Sequence, residues 1–131
     1  MDTLPEPPSI HPPFGNYAHG VAIPADSRVV LTSGQLGISK NGAIPAEIDA
    51  QAELCFDAIE AILEQANMTL ADVVQLRAYV TQREDFPAYM AVRDRRLQGR
   101  RIASTLMIVS GFTREEFLVE VEAVASRTGA V

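Results

Sequence analysis

The chain has 131 residues, 47% hydrophobic and 21% charged, with a formal net charge of −6. That is the length of one domain with a sizeable core, and the acidic balance argues against nucleic acid as the main partner. A single cysteine, Cys55, excludes an internal disulfide and gives no metal-ligand spacing; the start lacks the basic and apolar regions of a leader, and no apolar run nears the ~18 residues of a membrane helix, so a cytoplasmic protein is expected.

Pro5, Pro7, Pro8, Pro12 and Pro13 remove backbone donors from residues 1–13, which are expected to form an extended or unordered arm before a single domain over 14–131. Phe14-Gly15-Asn16 reads as a turn into a short strand, Tyr17–Ala22, on which Tyr17 and His19 face the same way. After a turn at Pro24–Ser27, Arg28–Ser33 is a second strand ended by Gly34, and the two strands are expected to form a hairpin. Asn41-Gly42 is the tightest turn of a loop over 37–45. From Ala46 the period becomes helical. Glu53, Asp57, Glu60 and Glu64 form one row and Cys55, Ile59, Ile62 and Ala66 an apolar one, giving a helix of about five turns that Asn67 closes in a left-handed position, its acidic row in solvent.

Asp72–Thr81 alternates as a strand, with Val74, Leu76, Ala78 and Val80 inward and Gln75, Arg77 and Tyr79 on the other face. Asp85 is read as an acidic cap and Pro87 as a first-turn proline of a second helix that runs to Leu97 or Gln98 and stops at Gly99. Ile102–Val109 is the next strand and Ser110-Gly111 a turn. Phe117–Ser126 is the last strand: Val119, Val121 and Ala123 share one face, and Leu118, Glu120 and Glu122 the other, the two carboxylates about 7 Å apart. The order β-β-α-β-α-β-β is an α+β layer, one sheet with both helices on one face. The other face, carrying Leu31, Tyr79, Met107 and Leu118, needs a cover. Self-association is the simplest one, and it puts a pocket between subunits.

The chain has no Gly-rich phosphate loop, His-Glu-x-x-His, cysteine pair or Gly-x-Ser-x-Gly, so neither a metal site nor a nucleophile elbow is expected. A dispersed set remains: Tyr17, His19, Ser33, Arg77, Ser104, Glu120 and Glu122. A hydroxyl to orient, a carboxylate to carry protons or position water, and backbone N–H groups beside glycines suffice to hydrolyse an activated C=N bond. His19 and Cys55 read as ordinary structural residues. Arg93, Arg95, Arg96, Arg100 and Arg101 read either as a phosphate-binding strip or as cations complementing a helix C-terminus. No aromatic interleaves with them to stack bases.

Gly15-Asn16-Tyr17, Thr32-Ser33-Gly34-Gln35, the helix over 51–66, Asp72-Val73-Val74 and Val119-Glu120-Val121-Glu122-Ala123-Val124-Ala125 together resemble the Rid family, also called YjgF/YER057c/UK114, over nearly the whole chain after the arm. The resemblance implies a chorismate-mutase-like fold and a homotrimer whose sheets form a central barrel, with small-molecule clefts between subunits. It implies hydrolysis of reactive enamines and imines, such as 2-aminoacrylate, to 2-oxo acids and ammonia without a cofactor. By position, Tyr17 is the cleft tyrosine, Ser33 the cleft serine, and Glu120 the glutamate that positions water or passes protons.

One departure matters. Where active deaminases carry an arginine that grips the substrate carboxylate, this chain reads Ile102-Ala103-Ser104-Thr105, with Ser104 in the arginine's place, and Met90 stands where the second helix usually has a cleft asparagine. A serine lacks the charge and reach of a guanidinium fork, a loss of about 2 to 5 kcal/mol in anion binding. Arg77 and Arg101 are the candidate replacements in the substrate site, and Arg77 is equally a partner for Glu120 or Glu122. Two functions stay open: an enamine/imine hydrolase with an altered substrate, and a non-catalytic trimer binding a small metabolite. A ribonuclease or translation inhibitor is a weaker third.

Overall fold

A computed structural model describes residues 1–129; the last two residues of the domain expected over 14–131 lie outside the described residues. Strands β1 (Asp2–Thr3), β2 (Val21–Ala22), β3 (Ser27–Leu31) and β4 (Gln35–Leu36) precede helix α1 (Ile48–Glu64). Strand β5 (Val73–Val80), helix α2 (Phe86–Arg96) and strands β6 (Ala103–Ile108) and β7 (Val119–Thr128) follow. The main sheet has the order β3-β7-β5-β6, with β4 also on β7. Every pair in it is antiparallel except β5 with β6. A parallel pair needs a crossover, and α2 supplies it. Both helices lie on one face of the sheet, α1 against β7 and α2 against α1, which is the expected α+β layer.

The period-two pattern of β5 and β7 is the reason for this packing. Val119, Val121, Ala123 and Ala125 of β7 are buried with Leu76, Ala78 and Val80 of β5. Phe56, Ile59 and Leu63 of α1 close over them, and each large side chain so buried contributes about 1.5–3 kcal/mol. The apolar stripe of α1 is turned from the one expected: Ala52, Cys55, Phe56, Ile59 and Leu63 are buried, while Ile62 and Ala66 are only partly so. Asn67 closes the helix region at φ 56°, the left-handed position assigned to it.

Gln51, fully buried on the first turns of α1, ties three segments together. Its amide nitrogen donates to the carbonyls of Pro45 and Glu116, each at 2.8 Å, and its oxygen accepts from the Leu118 backbone N–H at 2.9 Å. A buried amide with every bond made stabilises, and one left open costs. Gly37 exists for this contact, because a Cβ there would meet Gln51 Cβ at 2.4 Å and its Cα at 2.7 Å.

Four further expectations are corrected. The hairpin of the first two strands does not form: β2 pairs with β1, and β3 pairs with β7 across most of the sequence. Asp2–Thr3 of the proline-rich arm makes strand bonds with Val21–Ala22, because the prolines begin only at position 5. Asp85 makes no side-chain cap; residues Arg83–Asp85 form a 3-10 turn that already carries helical backbone angles into α2. The acidic row of α1 is not simply solvated. Arg95 pairs with Glu53, and Arg96 reaches Glu53 at 2.9 Å, Asp57 at 2.8 Å and Glu60 at 3.9 Å.

Candidate active site

The segment before β2 is laid along the start of β6 by three bonds. Asn16 Nδ2 donates to the Gly99 carbonyl at 3.2 Å, Arg101 to the Tyr17 carbonyl at 3.0 Å, and the Ala18 N–H to the Ile102 carbonyl at 2.9 Å. Ala18 and Ala103 form a parallel bridge. This register carries Tyr17 to Ser104, though 87 positions separate them in the sequence. Between that segment, the β6 edge and α2 lies a cleft of about 310 Å³. Phe14, Tyr17, Phe86, Met90 and Leu106 make its largely apolar wall, and Ser104 and Arg93 its polar floor. The Tyr17 hydroxyl accepts from the Phe14 N–H at 3.2 Å, so its own proton is available to a ligand.

Arg93 was not singled out from the run of arginines, yet it is the one that enters the cleft. Its residue is 4% exposed. Its Nε donates to Asp94 Oδ1 at 3.1 Å and one terminal nitrogen approaches the same oxygen at 3.0 Å, while the other donates to Ser104 Oγ at 3.3 Å. The signal was in the helical period: Phe86, Met90 and Arg93 fall at i, i+4 and i+7, so the spacing that turns Met90 to the cleft turns Arg93 there as well.

The rest of the cluster is engaged elsewhere. Arg95 and Arg96 bind the acidic row of α1, and Arg96 also lies over the Phe56 ring, 5.9 Å from its centre. Arg100 donates to the carbonyls of Leu70 at 2.7 Å and Val73 at 3.3 Å, and desolvation lowers its pKa. Arg101 pairs with Glu6 at 2.6 Å besides holding the Tyr17 carbonyl, so it props the cleft wall.

Ser33, Arg77 and Glu120 lie on another surface. Cross-strand partners share a face. Ser104 and Leu106 stand opposite Leu76 and Ala78, on the helix side, whereas Glu120 stands opposite Tyr79 and Glu122 opposite Arg77, on the open side. Arg77 meets Glu122 at 3.6 Å, and Tyr79 donates its hydroxyl to Glu122 at 2.9 Å; that bond to a carboxylate raises the tyrosine pKa. Glu120 folds over Gly34, where a Cβ would sit 2.6 Å from its carboxyl carbon, which brings it beside exposed Ser33. His19 Nε2 donates to the His11 carbonyl, 2.9 Å away, and stays outside the cleft. Within one chain the predicted residues thus form two groups, Tyr17 with Ser104 and Ser33 with Glu120.

Among the described residues no cluster of three or more histidine, cysteine or acidic side chains is placed to hold a metal, and no helix is long and apolar enough to cross a membrane.

The family model described as Endoribonuclease L-PSP matches residues 9–127. A RutC family protein of Haemophilus influenzae is 37% identical over 83 residues, 63% of this chain and 62% of that protein. The 2-iminobutanoate/2-iminopropanoate deaminase of Escherichia coli is 34% identical over 74 residues, 56% of each. The chain therefore matches less than two thirds of the length of these curated relatives. A Rid-family protein of unknown function from Yersinia pestis, YyfB, superposes with a TM-score of 0.80 at 27% identity, covering 93% of this chain and 96% of that one. The YjgF gene product of E. coli gives 0.70 at 28% identity, over 88% and 91%. The cleft between α2 and β6 thus sits on a known frame, and the chain belongs to the Rid (YjgF/YER057c/UK114) family, with Ser104 and Met90 in its cleft.

Proposed function

We propose that this protein hydrolyses a reactive enamine or imine with release of ammonia, acting as a homotrimer with its clefts between subunits. The observation that carries this reading is the largely apolar cleft in which Tyr17 and Ser104 meet a buried guanidinium; the deaminase name of a relative supports it. Leu31, Val29 and Met107 are 74%, 52% and 46% exposed on the open side, a surface that a second copy would cover. A neighbour's open face set against the β6 edge would bring Glu120 of one subunit to the Tyr17–Ser104 group of another.

The chemistry needs only water. A Glu120 carboxylate takes a proton from water as its oxygen adds to the C=N carbon and passes that proton to the nitrogen; it then carries the carbinolamine hydroxyl proton to the nitrogen as the C–N bond breaks, so ammonia leaves and a carbonyl forms. An enamine first accepts a proton on carbon. Ser33 and Tyr17 orient the reacting group through their hydroxyls, and the apolar wall excludes bulk water from the intermediate. With Ser104 at the strand position, the substrate is held differently from a simple amino-acid-derived imine.

Non-catalytic binding of a small metabolite in the same cleft is the second reading, favoured by the separation of Glu120 from Ser104 within one chain. Ribonuclease activity is disfavoured, since the arginines of a phosphate strip are bound to α1 carboxylates, backbone carbonyls, Glu6 and Ser104. The test is ammonia release from 2-aminoacrylate generated in situ, comparing wild type with Ser104→Arg. Release by either protein, abolished by Glu120→Ala in an intact assembly, sustains the hydrolase. Silence in both folded proteins leaves the binding reading.

A further inference from the structure

We infer that Arg93, reaching the cleft from α2, is the cation that binds a ligand's carboxylate here, and that the rest of the ligand is apolar. The inference takes the cleft from the reading above and adds the group that fills the role Ser104 cannot. Arg77 lies on the opposite side of the sheet against Glu122, and Arg101 is spent on Glu6 and the Tyr17 carbonyl. Among the described residues, Arg93 is the only charged side chain lining the cleft.

The donors converge. Asp94 occupies the Nε side of the guanidinium, and the Ser104 hydroxyl accepts from the other terminal nitrogen. Part of the donor fork thus lacks a protein partner among the described residues. Because Ser104 Oγ accepts from Arg93, its own proton is directed away from the guanidinium, toward an incoming acceptor. A carboxylate bound there gains a charge-assisted bond from the guanidinium and a second bond from the serine. The Asp94 side chain is 42% exposed, against 5% for Arg93, so water screens the existing partner more than it would a ligand inside the cleft. Phe86, Met90 and Leu106 flank the site; they lower the local dielectric, which strengthens the new pair, and they select an apolar remainder for the ligand.

The test uses stable ligands, so it does not depend on turnover. The affinities of 2-oxobutanoate and of its uncharged counterpart 2-oxobutanamide are measured by calorimetry on the full chain, for wild type, Arg93→Met, Arg93→Lys, Arg77→Ala and Arg101→Ala, with melting curves for each. Wild type is expected to prefer the carboxylate. Arg93→Met should weaken 2-oxobutanoate about 30-fold or more and the amide less than about 3-fold. Arg93→Lys, which keeps the charge and loses the fork, should fall between, and it supplies the readout if the methionine variant does not fold. Equal affinity of wild type for the two ligands, equal weakening of both by Arg93→Met, or selective loss in Arg77→Ala or Arg101→Ala overturns the inference. Arg93-dependent carboxylate binding without ammonia release would remove the hydrolase and keep this inference; release that survives Arg93→Met with unchanged affinity would do the reverse.

Discussion

The two faces of the sheet are made by the same strands, one residue out of step. Under the helices, Val119, Val121 and Ala123 of β7 are at most 3% exposed and pack against α1. On the other side, Glu120 and Glu122 stand with Arg77 and Tyr79, and Leu31 and Met107 are 74% and 46% exposed. The covered face is satisfied internally, down to the three bonds of Gln51. The open face has charge pairs but keeps its apolar surface exposed among the described residues. Stability is concentrated on one side, and the groups proposed for water activation on the other.

Substitutions should separate the two sides sharply. The largest loss is expected from Val121→Asp, an unpaired charge under α1, at about 4 kcal/mol or more by denaturant unfolding; a variant that melts like wild type would show that this face is not the core. Gln51→Leu should cost about 3 kcal/mol, because it leaves the Leu118 N–H and two carbonyls without partners.

The Cys55 thiol, pushed by burial up to about 12, supplies a pH probe of the same face. The unfolded thiol, near 9.0, loses its proton first, so stability falls as pH rises above that value and levels off near the folded one. At pH 10 the loss is about 1.4 kcal/mol relative to pH 8, and this part of the slope should vanish in Cys55→Ala.

Changes on the open face should be milder. Tyr79→Phe removes the bond to Glu122 and should cost less than about 1 kcal/mol. Leu31→Asp should shift the stability of the folded chain by no more than about 0.5 kcal/mol, yet sedimentation should show the proposed trimer dispersed. A trimer that survives this charge would move the interface elsewhere.

Much of the fold was legible because single elements announce themselves locally. The alternation of β5 and β7, the helical period of α1 and the left-handed Asn67 each depend on neighbours a few residues away. Partners were less legible. Val21–Ala22 and Ser27–Leu31 read as a hairpin because they are adjacent and apolar, but β3 is taken by β7, whose longer alternating face pairs with it over five residues. In the site, Tyr17 and Ser104 were named from the sequence and do share a cleft. Arg93 stands in one run with Arg95, Arg96, Arg100 and Arg101; composition does not separate them, and only the helical period shared with Phe86 and Met90 marks Arg93.

The sequence by itself determined the alternating faces of β7, where α1 ends, and that a serine stands at position 104. The tertiary structure decided what each face meets: α1 lies over one side of β7 and the other side stays open. It also decided which arginine enters the cleft, because the way α2 crosses from β5 to β6 turns Arg93 toward Ser104 and Arg96 toward Glu53, Asp57 and Glu60. A guanidinium carries the same charge at each of these positions. Its role is set by the burial and the partners that the crossing gives it, and those depend on residues remote in the chain.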